Sequence, residues 1–369
     1  MIKEKIYCSA PRKQFQAQSV EINEAISKVL NSESYILGTE VSSFEKEFAA
    51  YIDVDYCVGV NSGTDALILS LRALGINSGD EVLTPSHTAV ATVAAIVACG
   101  ATPVFVDVNP DSYTIDPHLA EAALTSKTKA IIAVHLYGHP CDMDALVEMT
   151  ERKGIYLIED CAQAHGAKWR GRKVGTFGAV GCFSFYPTKN LGCIGDGGAI
   201  VSNDYKVAEK IRSLRQYGWD SERNSRLQSG VSRLDEIQAA ILRVKLKKLD
   251  DSNTRRMQIA EIYKSLLEGT AVNLPTISKF AEHVFHLFVV QIESRDEAVT
   301  SMNALQIYPG IHYPNPVHLQ PAYSPFDTSA AGGLKSTEFL VGRILSLPMY
   351  PEMSENEIER IVEGVKSVR

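Results

Sequence analysis

The stretch Ala130–Gly166, AIIAVHLYGHPCDMDALVEMTERKGIYLIEDCAQAHG, decides the fold class of this chain of 369 residues. It begins with the apolar run Ala130–His135, which is typical of a buried strand. Asp142 can cap the helix that follows, and Ile155–Glu159 is a second apolar run. Two buried strands joined by a helix are the unit from which parallel sheets are built.

The same alternation extends in both directions from this unit. Further strands are predicted at Tyr56–Val60, Glu81–Thr84, Pro103–Val106 and Gly181–Tyr186, and further helices at Asp65–Leu74 and Ala89–Cys99. We therefore expect an α/β fold with a large, mainly parallel sheet that helices cover on both faces.

The pattern changes in the last third of the chain. Ser232–Asp235 resembles a capping-box start of a long helix. From about Asp251 the alternation gives way to a different order, predicted as a helix at Arg255–Leu267, a strand near Phe285–Ile292, a helix from Asp296, a Pro-rich loop at His312–Pro321 and an amphipathic helix from Ser354. We expect a large domain over 1–250, including the N-terminal segment, and a smaller α+β domain over 251–369.

Composition restricts the partners of this chain. Hydrophobic residues make up 45% and charged residues 22%, and the formal net charge is −7. An acidic balance argues against nucleic acid or an anionic membrane as the main partner. Seven scattered cysteines without a CxxC pair indicate a reduced, cytoplasmic protein. The start, MIKEKIYCSAPRKQFQ, lacks the apolar region of a signal peptide.

The first of four candidate ligand-binding stretches is NSGTDAL, Asn61–Leu67, which follows a strand and opens a helix. Ligands bind α/β sheets at the carboxyl ends of strands. Gly63 lets the backbone come close, and the free N–H groups of the helix start, with the Thr64 hydroxyl, suit a phosphate. Taken alone, the stretch is equally typical of a plain capped turn.

The second stretch, Ile158–Gly166, contains Asp160 at the end of an apolar strand. A carboxylate there needs a partner. A pyridinium N–H is one such partner, and an aspartate beside it keeps the ring protonated as an electron sink. A buried salt bridge or a capped turn is the alternative, and Gln163 and His165 are also typical of an ordinary polar loop.

The third stretch is SFYPTKNLG, Ser184–Gly192, with more glycines following it. Lys189 is a candidate Schiff-base lysine, because its amine becomes a nucleophile when partial burial lowers the pKa. Most lysines are solvated surface residues. The position of this one, downstream of an aspartate-ended strand and a Gly-Thr turn, favours the functional interpretation.

The fourth stretch is Ile311–His318, IHYPNPVH, in which two prolines favour an extended, rigid pocket lip. A surface loop with chance histidines is an equally good interpretation. Other motifs are missing: the sequence has no GxGxxG dinucleotide fingerprint, no phosphate-binding P-loop and no GxSxG hydrolase turn. His135 and His139 do not have the helical spacing of metal ligands, so no metal is expected.

Taken together, SGTDAL, IEDCAQAHGA, FSFYPTKNLG, GDGGAI, SRLDEIQAA and IHYP resemble, in this order, the DegT/DnrJ/EryC1/StrS family of pyridoxal-phosphate-dependent sugar aminotransferases. The resemblance covers nearly the whole chain. It implies a type I aminotransferase fold, pyridoxal 5'-phosphate as the cofactor, and a homodimer with active sites at the subunit interface.

The resemblance also implies roles for individual residues. Lys189 would carry the cofactor as a Schiff base and move the proton, and Asp160 would pair with the pyridine nitrogen. The other residues that the resemblance implies as contacts are Gln163 beside the ring hydroxyl, Gly63, Thr64 and Ser184 around the phosphate, and His312 and Tyr313 near the sugar.

Two positions depart from the pattern of the family. The family usually has an aromatic residue stacked on the cofactor ring where this chain has Ala89, so His87 is the candidate to cover the ring. An asparagine that reaches the partner subunit's cofactor phosphate is usual where this chain has Val231. Ser229 or Ser232 would restore that polar contact if the alignment shifts by one residue.

The resemblance implies transfer of an amino group, with glutamate as the donor, to a keto group of a sugar linked to dTDP or UDP. Dehydratases of the family carry histidine in place of Lys189, so the lysine favours transamination. A dehydratase, an aminotransferase acting at C4 and a non-catalytic regulator that binds the cofactor remain as alternatives. The PSHT stretch, Pro85–Thr88, and SRLDEIQAA favour C3 of a 3-keto-6-deoxyhexose.

Overall fold

The computed structural model describes residues 4–326 and 332–367. The strands are β1 (Ile6–Tyr7), β2 (Tyr56–Val60), β3 (Glu81–Pro85), β4 (Thr102–Val106), β5 (Thr128–Val134), β6 (Tyr156–Asp160), β7 (Lys168–Trp169), β8 (Arg172–Lys173), β9 (Val180–Ser184), β10 (Gly198–Ser202), β11 (Ala281–Glu282), β12 (Phe288–Gln291), β13 (Ile307–Tyr308) and β14 (Ile344–Leu347). The helices are α1 (Pro11–Ala17), α2 (Ser19–Leu30), α3 (Thr39–Ile52), α4 (Gly63–Ala73), α5 (Val90–Ala98), α6 (Pro117–Ala122), α7 (Met143–Lys153), α8 (Tyr205–Leu214), α9 (Glu236–Leu246), α10 (Leu249–Leu267), α11 (Arg295–Ala304), α12 (Lys335–Val341) and α13 (Glu355–Lys366).

A seven-stranded sheet organises the first two thirds of the chain, in the order β2-β10-β9-β6-β5-β3-β4. β10 runs antiparallel to both of its neighbours, and the other adjacent strands are parallel. The strands are buried on both faces, which explains why they are continuous apolar runs rather than alternating ones. The predicted α/β fold with a mainly parallel sheet is confirmed.

Local capping fixes the helices that flank this sheet. The Ser62 hydroxyl accepts the N–H of Asp65 at the start of α4. Asp142 accepts the N–H of Ala145 at the start of α7, as the sequence predicts. α7 then ends at Gly154, whose φ of 65° lies in the left-handed region that glycine adopts without strain.

The predicted capping-box start at Ser232 is wrong. α9 begins at Glu236, and Ser232 lies outside it. The Ser232 hydroxyl donates instead to Asn61 Oδ1 at 3.2 Å. The Glu236 carboxylate accepts the N–H groups of Gly38, Glu40 and Val41, and so caps α3 from a distance in sequence. Ser232 and Glu236 both bond to residues distant in sequence, and the local pattern does not reveal these contacts.

The C-terminal part of the chain has its own small sheet and core. β12 and β14 pair antiparallel, and β1 from the N-terminus pairs parallel with β13. Tyr263 of α10, Phe288 of β12 and Ile361 of α13 are fully buried in one cluster, which Ile6 also joins. Ser354 and Glu357 form a reciprocal capping box at the start of α13, the amphipathic helix that the sequence predicts.

Among the described residues, no helix is both long enough and apolar enough to cross a membrane.

Candidate active site

The carboxyl ends of the parallel strands assemble the candidate site. Because β10 is antiparallel to both β2 and β9, those two strands run in the same direction, as do β3, β5 and β6. Their carboxyl ends therefore lie at one edge of the sheet. That edge carries Gly63 after β2, His87 after β3, Asp160 at the end of β6 and Ser184 at the end of β9.

Asp160 is a buried carboxylate with two hydrogen-bond donors. Its Oδ1 accepts the N–H of Ala162 at 3.1 Å, and its Oδ2 accepts the hydroxyl of Thr92 at 2.9 Å. Burial raises the pKa of Asp160, while these two bonds and the charge of Lys189 act in the opposite direction. A cationic partner beside this buried carboxylate would therefore be strongly stabilised.

A pair of threonines supports Asp160 and was not predicted as part of the site. Thr92, in the first turn of α5, and Thr88 are both buried, and their hydroxyl oxygens lie 2.9 Å apart. Since the Thr92 proton goes to the Asp160 carboxylate, Thr88 must be the donor between the two. The chain of hydroxyls fixes the direction in which Thr92 points.

Lys189 lies on the loop between β9 and β10. The base of this loop is closed by a bond from Phe185 N to Gly197 O, 2.7 Å long, in addition to the strand pairing of Ser184 with Gly198. Burial lowers the pKa of Lys189 to about 8, and the carboxylate of Asp160 opposes this shift. Within residues 4–326 and 332–367, Lys189 forms no ion pair, so its amine is available for chemistry.

The start of α4 is packed against the end of β9. A Cβ placed on Gly63 would lie 2.6 Å from the Cβ of Ser184, so only glycine allows this approach. Gly63, Thr64 and Ser184 are all partly exposed. The first turn of a helix, two neighbouring hydroxyls and a missing side chain form a suitable cradle for an anion.

His312 and Tyr313 are held by side chains from other elements. His312 Nδ1 lies 2.9 Å from the buried Ser346 hydroxyl of β14, and the Tyr313 hydroxyl accepts Gln163 Nε2 at 3.1 Å. Burial lowers the pKa of His312 to about 4, and the charge of Lys189 acts in the same direction. Burial raises the pKa of Tyr313 to about 12, so both side chains are neutral at neutral pH.

Gln163 has partners at both ends of its amide. Besides the bond to Tyr313, its Oε1 accepts the N–H of Tyr137 at 2.7 Å. Tyr137 is a second residue that the sequence did not indicate, and it also contacts His87, whose Nε2 lies 2.8 Å from the Tyr137 hydroxyl. The Tyr137 hydroxyl also donates to the His312 carbonyl, so Gln163, His87, His312 and Tyr313 belong to one network. A contact of Gln163 with the ring hydroxyl stays a prediction.

The structure shows what surrounds His87, the candidate to replace the missing aromatic residue, and Val231, which stands in place of the usual asparagine. His87 is fully buried with its ring edge towards Tyr137, and cover of the cofactor ring by His87 stays a prediction. Val231 is 48% exposed and pairs with Gln216. Ser229 donates to Leu214 O and Ser232 donates to Asn61, so both serines are engaged within their own chain.

Pyridoxal phosphate fits the residues at this edge. Gly63 leaves the cradle that the phosphate group requires, because any side chain there would collide with Ser184. Asp160 offers a buried carboxylate, which needs a cation such as a protonated ring nitrogen. Lys189 offers an amine with a lowered pKa. Lys189, Asp160 and Gly63 are therefore the residues that would hold it.

His135, Glu159 and Cys161 form a buried cluster that resembles a metal site in composition only. The Glu159 carboxylate already accepts four donors, which are His135 Nε2 and the N–H groups of Gly175, Phe177 and Gly178. A carboxylate with four donors is satisfied. Glu159 therefore anchors the loop before β9.

Comparison with known proteins agrees with this architecture. The sequence profile of the DegT/DnrJ/EryC1/StrS aminotransferase family matches residues 16–366. A dTDP-3-amino-3,4,6-trideoxy-alpha-D-glucose transaminase of Streptomyces venezuelae is 47% identical over 353 residues, which are 95% of this chain and 93% of the relative. A dTDP-3-amino-3,6-dideoxy-alpha-D-galactopyranose transaminase of Aneurinibacillus thermoaerophilus is 46% identical over 345 residues, 94% of each chain.

A solved structure shows the same fold at full length. The crystal structure of S. venezuelae DesV in complex with a ketimine intermediate superimposes with a TM-score of 0.95 at 46% identity. The match covers 99% of this chain and 98% of DesV.

Proposed function

This chain belongs to the DegT/DnrJ/EryC1/StrS family of pyridoxal-phosphate-dependent aminotransferases, and we propose that it transfers an amino group from glutamate to C3 of a dTDP-linked 3-keto-6-deoxyhexose. The observation that carries the proposal is that one edge of the sheet holds both Lys189, an amine with a pKa lowered to about 8, and the buried carboxylate of Asp160. The reaction that we assign to these two residues is transamination.

The choice of C3 rests on the relatives rather than on the sheet edge. Two relatives that share 46–47% identity with this chain over at least 94% of its length are transaminases for 3-amino sugars carried on dTDP. The PSHT stretch that precedes α5 supports the same choice. Position specificity follows from where the sugar ring lies, because a displacement of ~1 Å in the reacting atom costs ~100-fold in rate.

When bound, pyridoxal phosphate supplies the electrophile and the electron sink that amino transfer requires. Lys189 would hold it covalently through Nζ. Its free amine would take a proton from the donor carbon that bears nitrogen. In the second half-reaction it would give a proton to the sugar carbon that receives nitrogen. A pKa of about 8 suits this role, since a catalytic base works best when its pKa is near the working pH.

Asp160 would keep a proton on the ring nitrogen. An ionised carboxylate stabilises that proton. The bonds from Thr92 and Ala162 fix the direction of the carboxylate and oppose the rise in its pKa that burial causes. Gly63, Thr64 and Ser184 would bind the phosphate group at the start of α4, with Gln163 and His87 beside the ring.

His312 and Tyr313 would line the sugar side of the site. Both are neutral and offer hydrogen bonds without charge, which suits the hydroxyl groups of a sugar. Ala89 is smaller than the usual aromatic at its position. The space it leaves would admit a differently tilted sugar ring.

We further propose that the enzyme works as a homodimer. Ile36, Ile194 and Val231 are exposed apolar residues around the start of α9, where Ile36 pairs with Asp235 and Ile194 N bonds to Gln238. Tyr186, on the loop of Lys189, is also exposed. An apolar rim beside a catalytic loop is typical of an interface between subunits. Sedimentation should give the mass of a dimer, and a fully active monomer would contradict this. The interface should bury more than the ~1,600 Å² of a standard complex.

Seven free cysteines support the expected cytoplasmic location of the protein.

The substrate proposal is tested with two keto sugars and one amino donor. Release of 2-oxoglutarate from glutamate by the holoenzyme establishes the donor. The value of kcat/KM is then measured for a dTDP-linked 3-keto-6-deoxyhexose and for its 4-keto isomer, with the purity of each checked because such sugars isomerise. A clear preference for the 3-keto isomer is expected, and a preference for the 4-keto isomer would overturn the choice of C3 alone.

A further inference from the structure

Tyr137 combines an unusual backbone conformation with a buried side chain. It lies just beyond the carboxyl end of β5 with φ 60° and ψ 0°, in the left-handed region that bulky residues rarely adopt. Its side chain is fully buried. Backbone conformations of this kind persist where surrounding contacts hold them in place, and they cluster at functional sites. The contacts of Tyr137 are therefore informative.

The hydroxyl of Tyr137 joins two residues of the candidate site. It donates to the backbone carbonyl of His312, because a carbonyl only accepts. The bond of 2.8 Å to His87 Nε2 must then be donated by the histidine. His87 is thereby fixed as the neutral tautomer with the proton on Nε2, and burial keeps it neutral by lowering its pKa to about 4.

The backbone of Tyr137 completes a closed ring of contacts. Its N–H donates to Gln163 Oε1 at 2.7 Å, and Gln163 Nε2 donates to the Tyr313 hydroxyl at 3.1 Å. Tyr137 thus holds His312 directly and Tyr313 through Gln163. Nothing else within the described residues bonds to the His312 carbonyl, whereas the His312 ring is held separately by Ser346.

Gly310, two residues before His312, leaves room for the histidine ring. A Cβ on Gly310 would lie 2.6 Å from His312 Cε1, so a side chain there would displace the histidine. The backbone of Gly310 pairs with Ser346 of β14. His312 and Tyr313, which follow it, are placed by the contacts with Tyr137, Gln163 and the Ser346 side chain.

We propose that Tyr137 is the positioning residue for the sugar: its hydroxyl sets the place of the His312–Tyr313 segment, so it governs the reaction of the keto sugar more than the reaction of the amino donor. This inference rests on the proposed function, because it takes His312 and Tyr313 as sugar contacts. Tyr137 itself touches neither substrate.

The test uses Tyr137→Phe, which keeps the ring and removes only the hydroxyl. The two half-reactions are measured separately on the holoenzyme: release of 2-oxoglutarate from glutamate alone, and amination of the keto sugar by enzyme that glutamate has already loaded. We expect kcat/KM for the sugar to fall about 10-fold, since the His312 carbonyl loses its partner. The glutamate half-reaction should fall less, by about threefold at most, because His87 alone links the Tyr137 hydroxyl to the cofactor side among the described residues.

A matched control and a spectroscopic readout separate positioning from stability. Tyr263→Phe removes another buried hydroxyl, one that donates to Pro348 O in the C-terminal core, and should leave both half-reactions unchanged. In histidine-labelled protein, ¹⁵N NMR should show His87 protonated on Nε2 in the wild type and a mixture of tautomers in Tyr137→Phe.

The outcomes are distinguishable. An equal fall in both half-reactions, or an unchanged sugar half-reaction, would overturn the role of Tyr137 while the aminotransferase function stands. A wild-type holoenzyme that releases no 2-oxoglutarate from glutamate would overturn the proposed function and this inference with it.

Discussion

The two sides of the site are built differently. On the cofactor side, Asp160 and Ser184 lie on strand ends, and Lys189 lies on a loop between two paired strands. On the sugar side, His312 and Tyr313 follow the two-residue strand β13 and are held by bonds from Tyr137, Gln163 and Ser346. Sheet backbone thus fixes the residues that we propose for the chemistry, while a few side chains fix the residues that we propose as sugar contacts.

The difference has a physical consequence. Displacing a strand end requires breaking ladder bonds of the central sheet, whereas displacing His312 requires the loss of bonds that are each worth about 1 kcal/mol. Substitutions on the cofactor side should therefore slow both half-reactions together, and substitutions on the sugar side should change substrate use in small steps.

The largest effect is expected for Lys189→Ala, which removes the amine and should reduce turnover by ~10³-fold or more, about 4 kcal/mol of transition-state free energy. The cofactor should still bind without a covalent bond, because Asp160 and the start of α4 remain. Turnover and bound cofactor are measured together. Lys247→Ala, at an exposed lysine of the same chain, is the control. Wild-type turnover in Lys189→Ala would show that another group does the chemistry.

Asp160→Asn should rank second. The amide keeps the shape of the side chain but cannot hold a proton on the ring nitrogen, so kcat should fall by ~100-fold, in line with the loss of a preorganised electrostatic group. Asp142→Asn is a matched control, because asparagine caps α7 as well as aspartate does. A kcat within threefold or so of wild type, about 0.7 kcal/mol, would remove Asp160 from the reaction.

Thr92→Val tests whether the hydroxyl pair matters to the carboxylate. A hydrogen bond to a charged group is worth roughly 1.5–3 kcal/mol, so kcat should fall about 10-fold. The bond from Thr92 lowers the pKa of Asp160, so its loss raises that pKa, and the acid limb of the pH–rate profile should move to higher pH. Thr92→Ser should restore both properties. If valine leaves the profile in place, the threonines serve packing alone.

The smallest effect is expected on the sugar side, for Ser346→Ala. His312 Nδ1 loses its partner at 2.9 Å, which should raise KM for the sugar about fivefold, or roughly 1 kcal/mol, without changing release of 2-oxoglutarate from glutamate. Ser70→Ala, at another fully buried serine, whose hydroxyl lies 3.2 Å from Cys182 Sγ, is the control. Equal changes in both half-reactions would mean that the two sides are not separate.

Sequence patterns predicted the strand ends that carry the proposed cofactor-side residues, because these signals are local. Asp160 lies at the end of an apolar run, and Gly63 and Thr64 lie within four residues of another, so strand ends could be identified without knowing what packs on them. Thr92 and Tyr137 were missed because their partners are distant, at separations of 68 residues to Asp160 and 175 to His312. The same reason explains the error at Ser232, where a contact with Asn61 prevailed over a local capping signal.

The loop of Lys189 joins two strands that pair directly, Ser184 opposite Gly198. Closing so short a loop costs little chain entropy, whereas the contacts of Asp160 with Thr92 and of Tyr137 with His312 each close a much longer one. Contacts of low sequence separation form fast and distant ones slowly. We therefore expect the hairpin that carries Lys189 to form before the contacts that place the His312–Tyr313 segment.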